Sequence, residues 1–531
     1  MVSTFRLCLL SISTGIVLSI AWLFDGVGLL SLIAFIPLLF VDDYVFRKSK
    51  SFSIIRYFFL IYIGLFVWTL CSVWWLVNST LWGLLIAVFF YPFYMTLPFL
   101  LSHIIKRRVG MIAGYFSLLM FWISFEWLTL SCDIAWPWLL LGNAFARSVS
   151  LIQWYDLTGL LGGTIWIVLS NILLFLCLQK NYLKLSSKFY IFITLVVISV
   201  PIVYSVISYK NYVEKGKQTG YLIVQPNINP YTEKFSGMKA SVQIQKMLNQ
   251  AESLVTQNIR ILVLPETAIP EPVFEKSIYD NDEIKLLHTF IVKHPGISIV
   301  CGAITQRIYN VQRDGLQNYH TISGKNGFYV GYNAALFISK EGIQITRKSK
   351  LLPGVETMPL AKYIPSISKL LFDFGGQFGS FGTQTERTVF TRNGDSIATI
   401  ICYEAEFGNY VGAFVRNGAE SICSITNDGW WGNTPGYKQH LSFCCLRAIE
   451  FRRDIARSAN TGISCLINQR GDITNVIDYG KNGCIGAIVH SHSQQTFYAC
   501  YGDFIGIISI WLSLVMLLIL LLLRKRYVAL C

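Results

Sequence analysis

Eight stretches of this chain are apolar for long enough, or nearly so, to cross a lipid bilayer, and no other feature limits its fold as strongly. A spanning helix needs about 20 apolar residues. The candidates are residues 8–25, 27–41, 53–77, 79–102, 110–131, 159–178, 189–208 and 504–523. In hydrocarbon a segment must satisfy its own backbone N–H and C=O groups, so each stretch is expected as a helix. The second is short and could form a re-entrant hairpin with the first. Composition agrees, with 53% hydrophobic and only 14% charged residues, against about 25% charged in a soluble domain.

A net charge of +14 can serve nucleic acid or membrane topology, and the location of the charges decides. With the N-terminus inside, the inside segments hold Arg6; Arg47, Lys48, Lys50 and Arg56; Lys106, Arg107 and Arg108; Lys180, Lys184 and Lys188; and Arg524, Lys525 and Arg526. The short outside loops hold only Arg147. This positive-inside pattern accounts for the charge without nucleic acid and predicts both termini in the cytoplasm. Residues 1–25 resemble a signal peptide, with Ser19-Ile20-Ala21 as a cleavage-like triplet. Removing them would invert the parity and put the basic loops outside. The outward stretch 132–158 carries Trp136, Pro137, Trp138, Trp154 and Tyr155. It reads as an interfacial aromatic belt or, more sharply, as a floor for a lipid substrate. The spans lack the charged residues expected of an ion or solute path.

Polar residues return between 209 and 503, dividing the chain into spans 1–208, a soluble domain 209–503 and a last span with its tail, 504–531. Parity places the soluble domain in the periplasm. Tyr221–Val224, Ile261–Leu264, Ile297–Val300, Ala334–Ile338, Ile397–Ile401, Ser421–Thr426 and Ile463–Ile467 read as buried strands. Residues 237–257 and 437–457 read as amphipathic helices, so the domain is a layered α/β fold. Three strand-like runs end on reactive groups: Glu266 after Ile261–Pro265, Lys348 after Ile343–Thr346, and Cys402 after Ile397–Ile401. A strand end holds a side chain rigidly yet opens into the crevice above the sheet. Cys301, Cys423 and Cys465 lie inside apolar strands and read as core thiols. No Cys or His cluster has metal-ligand spacing.

Pro265-Glu266-Thr267, Lys348-Ser349-Lys350-Leu351-Leu352-Pro353 and Ile401-Cys402-Tyr403-Glu404 resemble the Glu-Lys-Cys signatures of the nitrilase superfamily. With spans on both sides, the chain is similar to its membrane-embedded branch, the apolipoprotein N-acyltransferase family. Gln225-Pro226-Asn227-Ile228, Asn427-Asp428-Gly429-Trp430-Trp431-Gly432, Gln439-His440 and Arg457-Ser458-Ala459-Asn460-Thr461-Gly462 add to the likeness, in the same order. The resemblance implies an α-helical transmembrane bundle of about eight spans plus a nitrilase-like αββα sandwich, in the bacterial inner membrane. It implies a phospholipid acyl donor, a diacylated apolipoprotein acceptor, contact with membrane lipids, and no cofactor or metal. Cys402 would carry a thioester, with Glu266 as base and Lys348 as oxyanion partner. Glu356, Tyr403 and Glu404 would support them, and Phe235, Trp430 and Trp431 would bind substrate. Two positions depart from the family pattern: Phe235 stands where a Trp is usual, and Lys350 where a His is usual.

The residue types suit the chemistry. A thiol has a pKa near ~8.5 and a free glutamate one near ~4.3, so direct proton transfer is uphill by about 5–6 kcal/mol. An apolar setting for the acid and an ammonium beside the thiol would narrow the gap. The residues 354–382, rich in Phe and Gly, are expected as a loop gating lipid entry. A rival reading is a membrane-anchored nitrilase or amidase acting on a small C–N substrate. Another is a transporter or receptor with a degenerate sensor domain.

Overall fold

The computed structural model describes residues 3–48, 53–132, 135–179, 187–309, 319–321, 327–357 and 381–528. They form two units, Met1–Asn211 with Tyr501–Cys531, and Tyr212–Cys500. Most of the segment expected as a gate, residues 358–380, lies outside the described residues.

In the first unit, eight helical stretches among the described residues are long and apolar enough to cross a membrane: Thr4–Leu23, Gly28–Arg47, Ile54–Asn78, Leu81–Arg108, Met111–Ser131, Leu160–Leu178, Lys188–Asn211 and Phe504–Leu522. The chain is a membrane protein. The second stretch has the length of a full span, because a 3-10 turn, Gly28–Ile33, leads into the helix Ile36–Arg47. The apolar run 53–102 breaks near Thr80, whose hydroxyl accepts from Gly83 N at 3.3 Å and caps a new helix.

The expectation of uncharged spans does not hold. Asp42, His103, Lys106 and Glu126 are buried inside this unit. Lys106 Nζ donates to Asp42 Oδ2 at 2.6 Å, and Tyr57 Oη donates to Asp42 Oδ1 at 2.8 Å. His103 Nδ1 lies 2.6 Å from Asp42 Oδ1. Glu126 accepts from Trp122 Nε1 at 2.9 Å, Leu141 N at 2.7 Å and the Thr164 hydroxyl at 2.5 Å. Each charge is met by groups from other helices, so these residues act as polar crosslinks. Asp42 ends an apolar run and Lys106 stands among loop-like cations, which is why position along the sequence hid them.

The 135–158 stretch also differs from an exposed belt. It winds through 3-10 turns at Pro137–Leu139, Leu141–Phe145 and Val149–Leu151. Trp138 and Tyr155 are buried, and Trp138 packs on Trp75 with ring centroids 4.9 Å apart. A Cβ on Gly142 would meet the Leu160 carbonyl oxygen at 2.2 Å, so only glycine permits this approach.

The second unit holds two sheets. One contains β1 (Lys217–Gln225), β2 (Ile259–Val263), β3 (Ile269–Phe274), β4 (Ser298–Tyr309), β5 (Tyr319–Thr321), β6 (Phe328–Ser339), β7 (Gly342–Arg347) and β14 (Gly483–Ser491). The other contains β8 (Phe390–Arg392), β9 (Asp395–Ile401), β10 (Ser421–Thr426), β11 (Ile455–Ala459), β12 (Ser464–Ile467) and β13 (Ile473–Ile477). Their orders are β14-β1-β2-β4-β6-β5, with β3 on β4 and β7 on β6, and β13-β12-β11-β10-β9-β8.

Strand alternation splits the core into layers. Tyr221, Ile223, Ile261, Val263, Val300, Ala335 and Phe337 meet Ile397, Ile401, Cys423, Ile425 and Ala456 between the sheets. On the far side of the first sheet, Leu222, Val224, Leu262 and Ile299 meet Ile244, Met247, Leu248, Ile284 and Leu287. Those partners come from the helices Ala240–Glu252 and Asp282–Lys293, whose apolar residues recur every three to four positions. The helices Gly408–Arg416 and Pro435–Phe451 cover the second sheet. The result is the αββα sandwich. The helix expected at 437–457 ends earlier, because Arg452 adopts φ 50° and the chain re-enters the second sheet as β11.

Replacing Lys106 by Met leaves Asp42 buried without its cation. Breaking a buried pair from one side typically costs about 3–5 kcal/mol. A clear drop in thermal midpoint in detergent is expected, with partial recovery in the double variant Asp42→Asn/Lys106→Met.

Candidate active site

Glu266 follows β2, and its backbone is held by a close approach. Gly302 N donates to the Pro265 carbonyl at 3.1 Å. A Cβ on Gly302 would lie 2.6 Å from Glu266 Cα and 2.5 Å from Thr267 N. Glycine inside a strand marks such a contact. Thr267 adopts φ 49°, a conformation that a β-branched residue holds only under constraint. Its neighbour Glu266 is thereby aimed by backbone geometry.

β6 contributes Asn333, a polar residue in an otherwise apolar run. Its Nδ2 donates to Glu266 Oε1 at 2.8 Å and to Glu356 Oε1 at 2.9 Å. Its carbonyl accepts from Lys348 N at 2.8 Å. Lys348 ends β7 and turns its ammonium to the same carboxylates, 2.9 Å from Glu356 Oε1 and 3.4 Å from Glu266 Oε1. Leu352 N donates to Glu356 Oε2 at 2.8 Å, fixing that carboxylate from behind. Burial opposes the charge on Lys348, but Glu356 and then Glu266 outweigh it and hold its pKa above the usual lysine range. Lys350 points elsewhere, its ammonium 4.6 Å from the centroid of the Phe407 ring.

Cys402 caps β9 with φ 51°. A non-glycine residue held there stores about 1–3 kcal/mol of strain. Four side chains brace the turn from behind. His440 Nε2 lies 3.2 Å from the Cys402 carbonyl oxygen, which can only accept, so this nitrogen carries the hydrogen. His440 Nδ1 lies 2.9 Å from Asp428 Oδ1. Arg457 donates to Asp428 Oδ2 at 2.7 Å and the Thr426 hydroxyl to Oδ1 at 2.9 Å. Burial alone would raise Asp428, but Arg457 and His440 hold it below the usual carboxylate range.

Burial pushes the Cys402 thiol well above its ordinary pKa, and the Glu266 carboxylate pushes it further. Lys348 and a hydrogen bond from Thr426 oppose them and are outweighed. The ammonium lowers the thiol as expected, but burial and Glu266 outweigh it and the net shift is upward.

Glu404 links two parts of the site. Its Oε1 accepts from Ser349 N at 2.7 Å, next to Lys348, and from the Tyr410 hydroxyl. Its Oε2 accepts from Ile401 N at 2.9 Å, next to Cys402. Burial raises its pKa and these donors partly offset that. Tyr403 is buried and packs edge-on against Phe407, centroids 5.2 Å apart. Phe235 stacks on Trp430 at 6.2 Å and Tyr231 meets the same ring edge-on at 5.1 Å. Trp431 turns inward and packs edge-on against His440 at 5.3 Å.

Glu266, Lys348, Glu356 and Cys402, from four separate segments, thus share one electrostatic neighbourhood. The sequence alone assigns no task to Asn333, Thr426, Asp428, His440 or Arg457. A lone Asn inside an apolar strand is the signal that marks Asn333, since a buried amide needs partners. Among the described residues no three His, Cys, Asp or Glu side chains converge as a metal site would require. The arrangement supplies a nucleophile, a carboxylate that can take its proton, and a fixed cation that can receive a developing oxyanion.

The titration of Cys402 follows from these charges. Its alkylation by iodoacetamide is expected to keep accelerating above pH 9. Glu266→Gln removes the nearby negative charge and should move the midpoint down; Lys348→Met should move it up. An unchanged midpoint in both variants would contradict the coupling.

Residues 14–173 match the family model of the apolipoprotein N-acyltransferase N-terminal domain, and residues 223–496 match that of the carbon-nitrogen hydrolases. The chain is 27% identical over 494 residues to the apolipoprotein N-acyltransferase of Chlorobaculum tepidum, covering 90% of this chain and 89% of the relative. It is 26% identical over 516 residues to that of Geobacter metallireducens, covering 93% and 91%. It is 24% identical over 514 residues to that of Rickettsia prowazekii, covering 91% and 95%.

Proposed function

The chain belongs to the carbon–nitrogen hydrolase family, and from that premise we propose that it is an N-acyltransferase that moves a fatty acyl chain from a phospholipid to the N-terminal amine of a diacylglyceryl-cysteine in apolipoproteins. The observation that carries the reading is the convergence of Glu266, Lys348 and Glu356 beside the Cys402 thiol. The full-length likeness to relatives named apolipoprotein N-acyltransferase supports the substrate class. A small-molecule amidase would need one anchoring span, whereas eight candidate spans suit lipid substrates.

The first half-reaction starts from a neutral thiol. Glu266 takes the Cys402 proton as the sulfur attacks the ester carbonyl, so the thiolate is made only at encounter. Lys348 receives the charge that develops on the carbonyl oxygen. On collapse, Glu266 returns the proton to the departing lysophospholipid alkoxide and the acyl chain remains as a thioester. In the second half-reaction the neutral acceptor amine attacks that thioester. Glu266 takes one amine proton and passes it to the departing sulfur, giving an amide and free Cys402. Glu356 holds Lys348, and Glu404 keeps the lysine and cysteine segments in register. The Phe235–Trp430 stack is assigned to the lipid chains. A Phe in that place keeps apolar contact and gives up an indole N–H donor. In this reading the active unit faces the periplasm from the inner membrane, with both termini in the cytoplasm, an orientation that the positive-inside charges support.

Intact-mass analysis of the membrane-purified enzyme tests this. After incubation with phospholipid, one acyl mass that hydroxylamine removes is expected on Cys402, and none in Cys402→Ala. Lys348→Met should slow its appearance by about 10²–10³. Absence of the adduct, with ammonia released from small amides, would favour the amidase reading.

A further inference from the structure

Lys234 is a second buried lysine at this site, and the steps above leave it unused. It is 1% exposed. Its backbone is fixed on both sides: Lys234 N donates to the Asn229 carbonyl at 3.0 Å, and Gln243 Nε2 donates to the Lys234 carbonyl at 2.7 Å. The segment that carries it is anchored to the loop behind Cys402. Asn460 Nδ2 donates to the Ile228 carbonyl at 2.7 Å, and the neighbouring Phe235 and Tyr231 rings pack on Trp430.

Its surroundings differ from those of Lys348. Glu266 is the one carboxylate whose charge reaches it. Among the described residues, no carboxylate comes within ion-pair distance of its Nζ, in contrast to the two that flank Lys348. Glu233, next in the chain, accepts from Asn229 N at 2.8 Å instead. An uncompensated buried charge costs several kcal/mol. Burial accordingly lowers the pKa of Lys234 to about 7, with Glu266 only partly opposing the shift. A lysine so placed exchanges a proton readily near neutral pH, as catalytic lysines do.

We infer that Lys234 is the proton acceptor that converts the incoming acceptor ammonium into the neutral amine that attacks the thioester. This rests on the acyltransferase reading. In the step, the Lys234 amine takes one proton from R–NH3+ and becomes an ammonium. R–NH2 then forms the C–N bond, and its second proton reaches the sulfur through Glu266 as the C–S bond breaks. Lys234 finally loses its proton to water. Glu266 alone is poorly placed for both transfers, since its one accepting role is taken by the proton bound for sulfur.

The test separates the two half-reactions in the full-length enzyme, with phospholipid mixed micelles as donor and a synthetic diacylglyceryl-cysteine peptide as acceptor. In Lys234→Met, the acyl mass on Cys402 should still form, which also reports a folded site. Transfer to the peptide should fall about 10-fold at pH 7, the shortfall in neutral α-amine at that pH. It should recover toward wild type by pH 9, because an α-amine with a pKa of about 7.7–8.0 is then neutral unaided. Lys234→Arg, cationic at every pH, should transfer as slowly as Lys234→Met at pH 7. Restored transfer in Lys234→Arg would show a fixed-charge role, and equal loss of both half-reactions a structural one; either overturns the inference. A wild-type enzyme that never gains acyl mass would instead remove the acyltransferase reading, and this inference with it.

Discussion

An ammonium sealed from water persists only where carboxylates meet it, and much of the candidate site is built to satisfy that demand at Lys348. Glu356 and Glu266 supply the charge. Asn333 then donates from one amide nitrogen to Oε1 of both carboxylates. Because Asn333 is in β6, Lys348 at the end of β7 and Glu266 beyond β2, the pairing also fixes how three parts of one sheet present their ends. A buried ion pair adds little net stability by itself, and breaking it from one side is expensive. Its worth here is positional: it leaves Glu266 Oε1 and the ammonium beside the sulfur with no freedom to reorient.

That arrangement has a consequence for the sulfur. Positive charge nearby is usually read as a device for making thiolate. At Cys402 withdrawal from water and the Glu266 carboxylate outweigh Lys348. A neutral thiol is less open to oxidation and metal capture than a thiolate, and in the proposed reaction it gives up its proton only when a carbonyl is in place. The strained φ of 51° is kept by the His440, Asp428 and Arg457 set behind it. Nucleophile direction and nucleophile charge are thus handled by different residues.

Much of this was legible in the sequence, for identifiable reasons. Long apolar runs and buried strands announce themselves by composition, so the spans and strands such as Ala334–Ile338 and Ser421–Thr426 were readable. Glu266, Lys348 and Cys402 were readable because each ends such a run within a recognisable motif. The failures share a cause: they depend on contacts between distant segments. The end of the helix Pro435–Phe451 is set by β11 pairing with β10 and β12, which no local periodicity reveals. Asp42 and Lys106 looked like the edges of spans, and only the packed helices make them partners. The net direction of the Cys402 shift required knowing that burial and the Glu266 carboxylate together outweigh Lys348.

Three buried lysines in one chain illustrate how much partners decide. Lys106 has Asp42 at 2.6 Å and the Tyr115 ring beneath its ammonium. Lys348 has two carboxylates. Both are ion-paired and serve as fixed points, one among the helices and one in the sandwich. Lys234 has neither arrangement and feels Glu266 only through a longer-range attraction. The same side chain is therefore structural or electrostatic where it is matched, and has its pKa lowered by burial where it is not. In the proposed reaction the two kinds have separate uses: a developing oxyanion calls for a fixed charge, and an amine nucleophile calls for a base that can be emptied and refilled.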